Sequence, residues 1–336
     1  MNGADRAGGS GARADLAGAD RAVGGSRASD GIRLRIATRA SPLARWQAQH
    51  VADLLELTGF VCELVVVSTT GDELAGLPIS ALGASGAFVT QVQAAVLDGR
   101  AELAVHSAKD LPSAPTPGLV IGAIPPRADP RDALVGSTLD GLSPGAVVAT
   151  GSPRRRAQLA FARPDLAFTE LRGNIETRLG RVPSGGAIVV AAAALDRLGL
   201  AGRAAEVLDP AVMLPQVGQG ALAVECRPEL CEALAGIDDP PSRRAVEAER
   251  AFLFGIGPGC SLPIGAHARP VGAPPGTRAP PGAACLALEG MLGSFDGRVV
   301  LRLTAEGTDP VELGCRLATA MASSPVGRSL MAAYRL

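Results

Sequence analysis

At 336 residues the chain is long enough for two or three domains. Its 47% hydrophobic content allows a sizeable core, and 32 basic against 33 acidic side chains leave a net charge of −1. That balance excludes a broad nucleic-acid surface, which needs clustered excess positive charge, so any anion binding has to come from local arrangement.

Six cysteines, Cys62, Cys226, Cys231, Cys260, Cys285 and Cys315, form no C-x-x-C pair, which points to a reduced cytosolic protein and not to a disulfide framework or a zinc site. Three histidines give no metal-ligand spacing, so no metal is expected. Residues 1–30 lack the apolar segment of a signal peptide, and no apolar run of about 18 residues suggests a transmembrane helix. Of the 32 basic residues only Lys109 is a lysine. Arginine-rich codon usage is the plain explanation, yet a position that kept an ammonium among guanidiniums invites attention, because the two differ in geometry and titration.

In chain order, residues 1–30 read as a disordered tail in which GADRA occurs at residues 3–7 and again at 18–22. Leu34–Thr38 reads as a buried strand. Ser41 and Pro42 then supply an N-cap and first helical residue, and Leu43, Trp46, Gln47, His50, Val51, Leu54 and Leu55 follow a helical stripe. Cys62–Val67 is the next strand, a helix is expected over Ala87–Leu97, and Leu103–Val105 is a third strand ending at His106-Ser107-Ala108-Lys109-Asp110. After Pro112–Pro117 the pattern restarts with a strand at Ala146–Thr150, the Ser152-Pro153 helix start, a helix from Asn174 to Leu179, and strands at Ala187–Ala191 and Leu222–Val224. Strands alternating with helices imply α/β units with mostly parallel strands. Asp239-Pro240-Pro241 marks a boundary. Beyond it come a helix through Ala251, the loop Gly255 to Cys260, and a smaller α+β region with a Pro/Gly-rich loop at 271–282.

Four clusters carry candidate chemistry. Thr150-Gly151-Ser152-Pro153-Arg154-Arg155-Arg156 places arginines at a helix N-terminus, where free N–H groups and the dipole already favour anions. A solvated basic first turn is the alternative, but basic residues there oppose the dipole. Arg172-Gly173-Asn174 with Arg178, and Arg39 before Ser41, repeat the theme, which suggests a ligand with more than one carboxylate. His106-Ser107-Ala108-Lys109-Asp110 sets a carboxylate at a strand end, suited either to stabilising a cation and moving protons or to a plain Lys–Asp surface pair. Cys260, in Gly257-Pro258-Gly259-Cys260-Ser261, is either a nucleophile on a defined loop or a small residue in a tight turn. Gly141-Leu142-Ser143-Pro144-Gly145 fits G-x-S-x-G but precedes a strand, so it is no nucleophile elbow.

Together these motifs resemble the porphobilinogen deaminase (hydroxymethylbilane synthase) family. The resemblance rests on residues 35–47, 104–112, 129–133 and 152–158, on Leu171-Arg172-Gly173-Asn174, and on Leu195-Asp196-Arg197-Leu198-Gly199. It continues through Val217-Gly218-Gln219-Gly220-Ala221 and residues 259–265, in family order across most of the chain. It implies an α/β fold of two periplasmic-binding-protein-like lobes with mixed, mostly parallel sheets, plus a smaller C-terminal α+β domain. Lobe 1 would span 31–127 and 217–238, lobe 2 128–216, and the cofactor-anchoring domain 239–336. It implies a dipyrromethane cofactor held by a thioether to Cys260, onto which four porphobilinogen units are condensed with loss of ammonia before water releases the linear tetrapyrrole. Asp110 would be the catalytic carboxylate, beside the pyrrole nitrogens. Lys109, Ser107, Thr150, Ser152, Arg154, Arg155, Arg172, Gly173, Arg178 and Gln219 would hold the cofactor, and Arg39, Ser41, Arg172, Arg178 and Arg197 the carboxylated substrate. The expected setting is a cytoplasmic monomer acting on a small molecule, without nucleic-acid or membrane partners. The chain departs from the family pattern at Ala81, Ser85, Gln91, Gln93 and Pro153. The alternatives are a non-catalytic two-lobe protein that binds small carboxylates and a low-activity paralogue.

Overall fold

The computed structural model describes residues 32–67, 89–257, 262–272 and 284–334. The expected N-terminal tail, Ala81, Ser85, Cys260 and most of the Pro/Gly-rich loop lie outside the described residues.

Two five-stranded sheets share one topology. The first contains β1 (Arg33–Arg39), β2 (Val61–Val67), β3 (Leu103–Ser107), β4 (Val120–Ala123) and β10 (Leu222–Cys226), in the order β2-β1-β3-β10-β4. The second contains β5 (Asp132–Val135), β6 (Val147–Ala149), β7 (Ala167–Thr169), β8 (Ala187–Ala191) and β9 (Glu206–Val207), in the order β7-β6-β8-β5-β9. In each, the first three strands of the order run parallel, and a single strand, β10 or β5, runs against its two neighbours. That odd strand is the one reached from the other lobe. The chain therefore crosses between lobes twice, through residues 124–131 and 208–221, and Ala128 N–H donates to the Gly220 carbonyl where the crossovers meet.

Apolar stripes decide which helix faces which sheet. Helix α1 (Pro42–Glu56) buries Ala48, Val51, Ala52 and Leu55 against Leu34, Ile36 and Leu103, while α2 (Thr90–Leu97) covers the opposite face through Val92, Ala95 and Val96. On lobe 2, α3 (Pro153–Ala162), α4 (Ile175–Leu179) and α5 (Ala192–Arg197) flank buried strands such as Ala187–Ala191. Short α6 (Cys231–Leu234) returns to lobe 1. Then α7 (Pro240–Ile256), α8 (Pro310–Ser323) and α9 (Pro325–Ala333) pack on an antiparallel sheet of β11 (Ile264–Val271), β12 (Cys285–Gly293) and β13 (Val300–Gly307), around Phe252, Leu288 and Leu317.

Several elements differ from the sequence reading. Strand β3 continues past Val105 to Ser107 because its antiparallel pairing with β10 runs on to Leu222 opposite Ser107. Helix α2 is described from Thr90, with Val89 as its cap residue; its expected start at Ala87 lies outside the described residues. Helix α7 runs five residues beyond Ala251, to Ile256, because Phe252, Leu253 and Ile256 continue its buried stripe. Strands β4, β5, β7 and β9 are short and were not expected.

Candidate active site

Three local arrangements bring functional side chains together. In lobe 1, β3 ends at Ser107 and a single 3-10 turn carries Ala108, Lys109 and Asp110. Ala108 is buried and anchors the turn, Lys109 is half-buried, and Asp110 is exposed. Ser107 Oγ accepts a hydrogen bond from Gln47 of α1 at 2.8 Å. In lobe 2, Ser152 caps α3 by accepting from Arg155 N–H, with Pro153 in the first turn. Asn174 caps α4 in the same way, accepting from Thr177 N–H at 2.8 Å. Before that cap, Gly173 adopts φ 112°, and a Cβ there would come within 2.8 Å of Thr177. The turn thus requires glycine. The crossover supplies Gln219, fully buried, whose Oε1 accepts from Lys109 Nζ at 3.3 Å.

The predicted anion-binding arginines surround a buried acid. Asp132 opens β5 and is wholly buried. Its Oδ1 accepts from Arg155 Nε and Nη2 at 2.9 and 2.7 Å and from Gln219 Nε2 at 3.0 Å, while Arg154 Nη1 lies 2.8 Å from Oδ2. Burial by itself would raise the Asp132 pKa, but Arg154 and Arg155 more than offset it and hold the carboxyl far below the ordinary range. Arg155 also donates to the Val189 carbonyl, so each of its guanidinium nitrogens is engaged within the protein. Sequence reasoning offered that guanidinium to a ligand; here it braces the arrangement. Thr150 is likewise buried, its hydroxyl accepting from Ser152 N–H.

Arg154 differs from Arg155. Its Nη1 donates to the Leu214 carbonyl at 2.6 Å, but its buried Nε and Nη2 have no hydrogen-bond partner among the described residues. Arg154 also lines an open pocket where both lobes and the C-terminal domain meet, together with Lys109, Ser152, Gln216 and Arg250 beside apolar Leu111, Val217, Leu262 and Ile264. A buried guanidinium with unmet donors is costly unless an acceptor arrives. An acidic molecule with an apolar body suits such a lining.

Charge crowding points the same way. Burial pushes Lys109 down to about 8, with Arg155 and Arg154 adding to the effect and Asp110 and Asp132 opposing it. Burial also pushes Arg178 down to about 10, helped by Arg155 and Arg172 and opposed by Asp110. Lys109, Asp110, Arg154, Arg155, Arg172 and Arg178 therefore sense one another, although they come from two lobes. Arg178 donates to the Gly173 carbonyl at 2.8 Å, and Arg172 sits 3.9 Å from Glu170.

Other expected site residues have different surroundings. Arg39 closes β1, half-buried, and Ser41 caps α1, accepting from Ala44 N–H at 3.3 Å. Arg197 is buried, donates to the Gly220 carbonyl at 2.7 Å and lies over the Trp46 ring, so its observed partners are a crossover and a lobe 1 helix. Cys260 lies outside the described residues; Leu262, two residues on, lines the pocket. Sequence reasoning passed over two buried acids, Asp132 and Glu249. The signal was present for Glu249, which interrupts the buried stripe of α7, but not for Asp132, which opens a strand directly after Pro130 and Arg131.

Comparison with known proteins agrees with this arrangement. Residues 34–234 match the family model described as porphobilinogen deaminase, dipyromethane cofactor binding domain, and residues 243–323 match the porphobilinogen deaminase C-terminal domain. The porphobilinogen deaminase of Acidothermus cellulolyticus is 52% identical over 69% of this chain and 74% of its own. That of Roseiflexus sp. (strain RS-1) is 45% identical over 89% of this chain and 98% of its own, and that of Nitratidesulfovibrio vulgaris is 42% identical over 90% and 97%. A cleft short of negative charge, on a fold matched along most of its length, places the chain in the porphobilinogen deaminase family.

Proposed function

We infer that the chain is a hydroxymethylbilane synthase, a transferase that condenses four porphobilinogen units head to tail with release of ammonia and then frees the linear tetrapyrrole with water. One observation carries this reading beyond the family match. Lys109 and Arg154, which line the pocket, and Arg178 on α4 are all pushed toward losing their protons, and Arg154 keeps two buried donors without an acceptor among the described residues. Each pyrrole of the substrate brings an acetate and a propionate, which is the missing negative charge.

A dipyrromethane joined to Cys260 fits the same lining. Lys109, Ser152, Arg154 and Gln219 would hold it, with Arg172, Gly173 and Arg178 closing from the α4 turn. When bound, it supplies the nucleophilic pyrrole carbon to which new units are joined, and its covalent link keeps the growing product in place. The protein's own part is positioning and electrostatics. The guanidiniums grip carboxylates and exclude alternative registers. Asp110, exposed on a braced turn beside Lys109, stabilises positive charge developing on a pyrrole as ammonia leaves and can take the proton lost on coupling. Arg39, Ser41 and Arg197 complete the proposed substrate side. Cys62, Cys226, Cys231, Cys285 and Cys315 are free thiols, which supports a reducing cytoplasmic setting, and we read the protein as a monomer.

The test is intact-protein mass spectrometry with turnover assays. The wild-type chain should carry the mass of a dipyrromethane and consume porphobilinogen, Cys260→Ala should carry no adduct, and Asp110→Asn should keep the adduct but lose about 100-fold or more in kcat. A wild-type chain of unmodified mass, even after incubation with porphobilinogen, would overturn the assignment.

A further inference from the structure

The C-terminal domain does more than border the cleft. From α7 it inserts Glu249, a carboxylate with no solvent exposure, into the junction of the two crossovers. Its Oε1 accepts from Arg127 Nη1 at 2.6 Å and from Ala268 N–H of β11 at 2.9 Å. Its Oε2 accepts from Gly218 N–H at 2.7 Å and from Arg127 Nη2 at 3.2 Å. Four donors from three parts of the chain thus meet on one side chain. Arg127, in the first crossover, donates its Nε to the Gln219 carbonyl in the second at 2.9 Å, and its backbone N–H to Ser242 of α7 at 2.9 Å.

Resting on the reading that this is a pyrrole-condensing enzyme, we infer that Glu249 is a positioning residue for that reaction, acting through Gln219. The chain of contacts is short. Glu249 holds Gly218 directly and the Gln219 carbonyl through Arg127. The Gln219 side chain then accepts from Lys109 and donates to Asp132 and to the Pro130 carbonyl at 2.7 Å. Gly218 is pressed against the catalytic turn: at φ 70° a Cβ on it would lie 3.0 Å from the Ala108 carbonyl carbon and 3.1 Å from Lys109 N. Any slackening of Gly218 and Gln219 therefore moves Lys109 relative to Arg154 and Arg155. Displacements near 1 Å in such a site lower rates on the order of 100-fold.

A charged clamp suits this position because it is directional. Glutamine at 249 can accept on one oxygen only and brings N–H donors to face the Arg127 guanidinium and one of the two backbone N–H groups. The C-terminal domain touches the second crossover elsewhere too, where Arg302, paired with Glu289 at 2.7 Å, donates to the Pro210 and Ala211 carbonyls. That contact does not reach Gln219, so it serves as a control.

The experiment compares holoenzymes whose adduct mass is verified. Glu249→Gln should lower kcat about tenfold or more with KM changed less than about threefold, and adding Gln219→Ala should lower it no further than Gln219→Ala alone. Glu289→Gln should lower the melting temperature while leaving kcat unchanged. If Glu249→Gln fails to fold, Arg127→Lys answers the same question, since it keeps the charge but cannot donate to Glu249 twice and to Gln219 as well. Wild-type kcat in Glu249→Gln or, where that variant does not fold, in Arg127→Lys, or additive losses in the double variant, would overturn the inference. Absence of adduct and turnover in the wild type would instead overturn the proposed function.

Discussion

Lys109 is the residue at which composition and geometry converge. The chain's lone ammonium sits half-buried between Gln219 and a group of guanidiniums, and its pKa falls to about 8 chiefly because burial removes its hydration. The folded chain therefore holds this proton more weakly than the unfolded chain, whose lysine stays charged to about 10.4. The penalty is fully present below pH 8, fades as pH rises through the window between the two values, and is gone above it. In a Cys260→Ala background, free of attached carboxylates, stability should rise with pH across that window more steeply than in the same background carrying Lys109→Met. Thermal melting from pH 7 to 10.5 reads the difference, and parallel curves would show that Lys109 is not strained in the fold. Asp110 next to it was singled out from the sequence because polar residues directly after an apolar strand have few structural uses. Asp132 was not, because a carboxylate opening a strand looks exposed until α3 and the crossover bring two guanidiniums and an amide to it. Removing one partner of such a buried group costs roughly 3–5 kcal/mol, which is why Arg154 and Arg155 cannot be read as ligand contacts alone.

At the scale of elements, helix starts were the most readable feature. Ser41, Ser152 and Asn174 cap α1, α3 and α4 by side-chain oxygen to backbone N–H bonds, as their residue types and the prolines after two of them predict. Local chemistry fixes a cap, so local sequence reveals it. Short strands are different. Ala167–Thr169 and Glu206–Val207 owe their state to neighbours far along the chain, and no period can build up over two or three residues. The caps also separate stability from function. Ser152→Ala and Asp309→Ala, the latter at the start of α8, should each cost about 1 kcal/mol of stability. Only Ser152 lines the pocket, so only Ser152→Ala should also raise KM for porphobilinogen. Equal KM values in the two variants would separate the α3 N-terminus from substrate handling.

Over the whole molecule, the matching strand orders mean that each lobe is completed by a strand delivered from the other. The family resemblance already assigned residues 217–238, and with them β10, to lobe 1, but the antiparallel direction of β5 and β10 could not be read from the sequence, because a strand's direction depends on which sheet it joins. The exchange makes the junction of the crossovers the place where the lobes are coupled. Gly220 is at its centre: its carbonyl accepts from Ala128 N–H at 3.1 Å and from Arg197 at 2.7 Å, and Arg197 in turn lies over Trp46 of α1. Burial pushes Arg197 down to about 10, so its charge is kept there at some cost and is repaid by that carbonyl and ring. Arg197→Met retains the apolar stem but leaves the carbonyl with one donor, a loss of about 1–3 kcal/mol confined to the junction. Amide hydrogen exchange should then quicken by about tenfold or more at residues 126–131 and 218–221, while β1 and β3, held by their own core, keep their protection. Uniform quickening across lobe 1 would instead mean that Arg197 supports the fold at large, and unchanged exchange at the junction would mean that the lobes are coupled without it.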